Sequence, residues 1–163
     1  MRVRLYGGGF SLVEVLVAII LVGLAVAALV GANSALTNAI GAGTDLSTAE
    51  FLISEIAELT ALLNVVDPEN GISTFGPETG ETLTNYDDLD DFNGAVFSPP
   101  ISADRSVINS SAGFSQQVTV ENVSASNFEQ VVGNHSSDFV RVTVRIYLNS
   151  RQIGSESWLR ARY

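Results

Sequence analysis

Two groups of residues in this chain have the types and spacing to do chemistry. The first is Gly9-Phe10-Ser11-Leu12-Val13-Glu14, where Phe10 opens an apolar run that continues to about Val30 and Glu14 is its one carboxylate. A charge in a hydrocarbon-length segment costs roughly 2.5–3.5 kcal/mol at the helix centre, so Glu14 calls for a partner. Cleavage between Gly9 and Phe10 would make one. The new α-amino group would start a helix close to Glu14, whose carboxylate also complements the helix dipole there. In an assembly, Glu14 of one copy would meet the amine of the next.

The second group is Tyr86-Asp87-Asp88-Leu89-Asp90-Asp91-Phe92-Asn93-Gly94. Asp87, Asp88, Asp90 and Asp91 are too close together to coexist without screening, hydrogen bonds or a cation. Hard oxygen ligands on a turn ending in Asn93-Gly94 suit Ca²⁺, with those four aspartates and Asn93 as the metal set. The order Asp88-x-Asp90-x-x-Asn93-Gly94 misses the EF-hand loop, which needs another ligand one residue earlier and a closing glutamate. The other reading is a solvated acidic turn whose aspartates cap backbone donors.

The stretch Gly9-Phe10-Ser11-Leu12-Val13-Glu14 resembles the class III signal of type IV pilins and type II secretion pseudopilins. In that family a prepilin peptidase cuts after the glycine and methylates the new first residue, and the glutamate aids subunit docking. Carried over, Gly9 and Phe10 are the processing residues and Glu14 is the docking residue. The implied partners are the prepilin peptidase, other pilin-like subunits and the bacterial inner membrane. The implied protein is a structural filament subunit, a minor pilin or pseudopilin, and no enzyme. Many major pilins have a disulfide near the C-terminus, and this chain has no cysteine, which points toward a minor subunit or pseudopilin. The Asp-Asp-x-Asp-Asp-aromatic-Asn-Gly element also looks like one in some minor pilins of the mannose-sensitive haemagglutinin type.

Two other readings stay open from the residues. Arg2 and Arg4, an apolar core and small-residue sites around Ala25-Val26-Ala27 also describe a secretory signal peptide, although the apolar run exceeds a 7–15-residue core. A plain single-span anchor would carry Glu14 at the interface. The alternative function is then a membrane-anchored extracytoplasmic binding module.

The elements that must position these groups follow from periodicity. Residues 1–9 form a leader. Residues 10–31 have the length and composition to span a bilayer. Arg2 and Arg4 precede the span, so the N-terminus is expected in the cytoplasm and the remainder in the periplasm or outside the cell. Residues 32–66 continue as an amphipathic helix: Leu36, Ala39, Ile40, Leu46, Ala49, Ile53, Ile56, Leu59 and Leu63 recur at three- and four-residue steps. Asp67-Pro68 ends that pattern, and Ser47-Thr48-Ala49-Glu50 would allow a break. Residues 67–163 form a β-rich domain containing the acidic loop 86–94. Residues 67–113 show little periodicity. Phe114, Gln116, Val118 and Val120, then Val140, Val142, Val144, Ile146 and Leu148, alternate with polar residues as half-buried strands do. Asn149-Ser150-Arg151 turns the chain and residues 152–163 return as a hairpin partner. The fold class is α+β: a long N-terminal helix packed on a C-terminal antiparallel sheet.

The formal net charge is −10 with no lysine, which argues against a nucleic-acid partner. Catalysis finds little support. The lone histidine, His135, lies in a polar run and reads as an exposed turn residue, and no phosphate-cradling loop or Cys/His metal spacing is present.

Overall fold

The computed structural model of the chain describes residues 8–69, 71 and 74–162. Two compact units make up the chain, residues 1–43 and 44–163. One helix, α1 (Leu12–Thr60), contributes to both. Five strands follow: β1 (Val96–Phe97), β2 (Phe114–Ser124), β3 (Asn127–Val131), β4 (Phe139–Leu148) and β5 (Arg151–Ala161). They form an antiparallel sheet in the order β1-β2-β4-β5, with β3 also paired to β2. The architecture is α+β, as expected.

In the first unit, α1 begins where Ser11 stops the preceding chain. The Ser11 hydroxyl accepts the Glu14 backbone N–H at 3.2 Å, an N-cap bond that satisfies one of the donors left over at a helix start. Ser11-x-x-Glu14 thus has the spacing of a capping box. Every residue from Gly8 to Thr44 is exposed, and α1 is long and apolar enough near the N-terminus to cross a membrane.

The second unit holds the core. Ala49, Leu52, Ile53, Ile56 and Thr60 are the buried face of α1, at helical spacing. They pack with Val118 and Val120 of β2 and Val140, Val142, Val144 and Ile146 of β4, the alternating faces read from the sequence. Register sets Val118 opposite Val144 and Val120 opposite Val142. Full burial of each such side chain contributes about 1.5–3 kcal/mol. Asn149 and Ser150 both have positive φ, as a two-residue type I′ turn demands, and deliver β5 next to β4.

Gly154 on β5 marks a close approach. A Cβ there would lie 3.2 Å from Ala49 Cβ and 3.7 Å from Ile53 Cδ1. We expect Gly154→Val to lower the stability of the full chain by about 1–3 kcal/mol, measured by denaturant unfolding in detergent, because the added methyls meet packed atoms. An unchanged midpoint would mean that the helix and β5 separate readily.

α1 stops at Thr60 rather than near Val66, and nothing breaks it at Ser47. The terminus is closed by a distant residue. The Arg160 guanidinium on β5 donates to the carbonyl of Thr60 (2.7 Å), the last residue of α1, and to that of Leu63 just beyond it (3.0 Å). The segment expected to lack structure also carries β1 and 3-10 turns at Asp90–Phe92 and Asn109–Ser111.

Candidate functional site

The acidic loop is built from its backbone outward. Asp88 Oδ1 accepts the N–H groups of Asp90 (2.8 Å) and Asp91 (3.1 Å), which nucleates the 3-10 turn at Asp90–Phe92. Asp91 Oδ2 reaches back to the N–H groups of Asp87 (3.0 Å) and Asp88 (3.3 Å). Each carboxylate thus fixes the backbone of the other. The turn is anchored by its apolar members: Leu89 and Phe92 are fully buried, and Phe92 meets Tyr86 edge-on with ring centroids 5.2 Å apart. The Leu89 N–H donates to Asn64 O at 2.8 Å, tying the loop to the chain just beyond α1.

Burying Leu89 and Phe92 takes their neighbours inside. Asp88 and Asp91 are each 1% exposed, and Asp90 is buried with them. Asp90 Oδ1 accepts the Gly76 N–H at 2.7 Å. Gly76 sits at φ +99°, a conformation that side-chain-bearing residues rarely adopt. This bond brings in a segment that the sequence did not connect with the loop. Glu81 Oε2 accepts the Glu78 N–H at 2.9 Å, and carboxylate oxygens of Glu78, Glu81 and Asp91 lie within 4.8 Å of one another. Asp88, Asp90 and Asp91 form a second such trio, sharing Asp91 with the first.

The five residues expected to hold a metal therefore divide. Asp88, Asp90 and Asp91 converge, Asp87 is exposed and lies in neither trio, and Asn93 is committed elsewhere. The Asn93 side-chain oxygen accepts the Val120 N–H at 3.1 Å and so aligns the loop with β2. Glu78 and Glu81 were missed, since no local periodicity links them to Asp91.

His135 is not the exposed turn residue expected. Its φ of 55° fits a turn, yet its side chain is only 11% exposed and packs edge-on against Phe75. Nε2 lies 2.6 Å from Thr74 O, so the carbonyl takes the Nε2 proton, and Asp90 Oδ2 is 3.9 Å away. The nearby Arg105 guanidinium is also occupied, donating to the carbonyls of Leu83 and Tyr86.

Burial dominates the electrostatics. It pushes the Asp88 carboxyl up to about 7, with the Asp90 charge adding to the effect. Burial likewise raises Asp91 to about 6, against the pull of its two backbone N–H bonds. Glu78 rises to about 7 through burial and the adjacent Glu81, while Glu81 is held low by the Glu78 N–H. Folded values above the ordinary 3.8 and 4.5 mean that the folded chain binds more protons than the unfolded chain over this range. The stability these groups contribute is complete below about pH 4 and lost as pH rises through about 6 to 7. In the presence of a chelator, the thermal midpoint of the full chain should therefore fall between pH 5 and 8; a rising midpoint by circular dichroism would contradict it.

The second site is the start of α1. Gly9 and Phe10 are exposed, Phe10 at 81%, and Glu14 is exposed on the first turn. Arg2 and Arg4 of the expected leader lie outside the described residues. No family model, characterised protein or solved structure matches this chain. Functional conclusions therefore rest on the residues themselves.

Proposed function

We propose that the chain is a structural subunit of a type IV pilus-like filament or a type II secretion pseudopilus. In this reading it is cleaved after Gly9, methylated on Phe10 and held in the inner membrane before assembly. The observation that carries the reading is the first half of α1. Phe10, Leu12, Val13, Leu16, Ile19, Ile20, Leu24 and Leu29 are all exposed large apolar side chains. Lipid covers such a surface in a single chain, and equivalent helices of neighbouring copies cover it in a filament. Glu14 is the only carboxylate before Asp45. Pairing it with the Phe10 amine of a neighbouring copy neutralises both charges and sets the axial register. The resemblance of the Gly9–Glu14 stretch to the prepilin signal supports the same assignment.

The test is the intact mass and N-terminal sequence of the protein from the membrane fraction of cells containing a prepilin peptidase. A chain starting at methylated Phe10 is the expected result. An uncut chain would overturn the pilin pathway in favour of a membrane-anchored binding module. A chain beginning after Ala27 or Ala28 would mean an ordinary secreted protein.

A further inference from the structure

Carboxylates that converge in a buried place need protons, donors or a cation. Here the donors are counted and fall short. Asp88 Oδ2 and Asp91 Oδ1 are buried and have no hydrogen-bond partner, although the opposite oxygen of each accepts two backbone N–H groups. Leaving a buried charged acceptor unpaired costs more than the usual 1–3 kcal/mol of an orphaned polar group. Glu81 approaches both Glu78 and Asp91 closely enough for their carboxyls to interact directly. The ion pairs of arginine among the described residues go to Glu121 and Glu129, away from this cluster.

We infer that Asp91, with Glu78 and Glu81, whose carboxylate oxygens lie within 4.8 Å of one another and of its own, forms a binding site for a calcium ion. The buried, unpartnered Asp91 Oδ1 is its inner ligand. Glu78 and Glu81 are partly exposed, so they complete the shell where water can supply the remaining oxygens. The donor set is all carboxylate oxygen, because His135 turns Nε2 to Thr74 O. That set favours a hard cation over zinc, copper or nickel. Calcium accepts six to eight oxygens with mixed carboxylate modes, whereas magnesium demands a near-ideal octahedron and usually takes only one or two carboxylates. The three ligands come from two i, i+3 pairs, both members of Glu78-x-x-Glu81 and the later member of Asp88-x-x-Asp91. In each pair the later carboxylate accepts the backbone N–H of the earlier residue. An ion between the pairs would staple 78–81 to the turn that carries Leu89 and Phe92 into the core. Asp88 and Asp90, which form the second trio with Asp91, position the loop through their bonds to the backbone of Asp90, Asp91 and Gly76. This site is independent of filament assembly.

The experiment uses the full chain in detergent micelles, stripped with a chelator and titrated with CaCl₂ by calorimetry, with thermal unfolding in parallel. One ion per chain is expected, with a Kd in the roughly micromolar to millimolar range and a higher thermal midpoint in calcium than in chelator. Asp91→Asn and Glu81→Gln should each weaken binding by at least about tenfold, since ligand charge sets the affinity. Glu81 is partly exposed, so Glu81→Gln should keep its far-ultraviolet spectrum in chelator and guards against a folding artefact. No saturable heat and no midpoint shift at about ten millimolar calcium would overturn the site. So would calcium binding undiminished by both substitutions. Magnesium binding as tightly as calcium would overturn the assignment of the ion.

Discussion

A chain carrying Glu14→Ala is expected to enter the membrane at the normal level and to be missing from sheared filaments, at least about a hundredfold below the unchanged chain. The cause is electrostatic. In the proposed filament, copies pack along their exposed apolar helices and water leaves the space around residue 14. Removing one partner of a buried ion pair costs about 3–5 kcal/mol, because the other charge stays uncompensated. The effect recurs at every contact between copies. Membrane insertion depends on the apolar run rather than on Glu14, and loses nothing from the change.

The structure also supplies a competing local role for Glu14, and a second variant separates the two. Ser11 caps the Glu14 N–H, so the glutamate stands at N3 of α1, a position where glutamine serves nearly as well. If Glu14 acts only at its own helix start, Glu14→Gln assembles normally. If it neutralises an amine on a neighbour, Glu14→Gln fails almost as completely as Glu14→Ala. Immunoblots of sheared and membrane fractions decide between these outcomes, and normal assembly of both variants would remove the docking role.

The largest loss of stability is expected from Gln116→Leu. Gln116 is fully buried on the inner face of β2, between Phe114 and Val118. Its side-chain oxygen accepts the Ile101 N–H at 2.8 Å, and its side-chain nitrogen donates to Ile101 O (3.0 Å) and Leu52 O (2.9 Å). One amide therefore joins the sheet to α1 and to the loop at Ile101. Leucine would leave both polar groups of Ile101 buried without these partners. Each orphan costs about 1–3 kcal/mol, so a loss of about 3–5 kcal/mol is expected once the Leu52 bond is included. Urea unfolding of the full chain in detergent would measure it. A loss under about 1 kcal/mol would show that water or backbone movement replaces the amide.

Gln116 also illustrates how much the sequence revealed. Its place in the alternation from Phe114 to Val120 put it on the inner face before any coordinates, and period two held along β4 with the same clarity. The helix face at Ala49, Ile53 and Ile56 was equally legible, because a buried stripe repeats every three or four residues. Contacts between distant segments leave no such trace. The end of α1 depends on Arg160, far along the chain, so the local signal at Asp67-Pro68 placed the boundary too late. β3 is exposed at every position and has no inner face to alternate. In the acidic loop, the charges were visible but their burial was not, because Leu89 and Phe92 draw the aspartates inward. Glu78 and Glu81 approach Asp91 across a fold of the chain that the Gly76–Asp90 bond secures, and such a bond has no counterpart in composition. Ser11-x-x-Glu14 has capping-box spacing, a local pattern that a sequence carries in full.

The closure of α1 by Arg160 bears on the order in which the chain can fold. The helical face at Ala49–Thr60 emerges from the ribosome long before the strands that cover it, and the Thr60 and Leu63 carbonyls gain their side-chain donor only with Arg160 on β5. Native contacts so remote in sequence make folding slow relative to helix formation. During that interval the stripe of Leu52, Ile53 and Ile56 is uncovered and open to wrong partners. Loss of the last few residues should then be felt early, as a fraying helix end and a longer-lived sticky intermediate, even though the lost residues belong to the final strand.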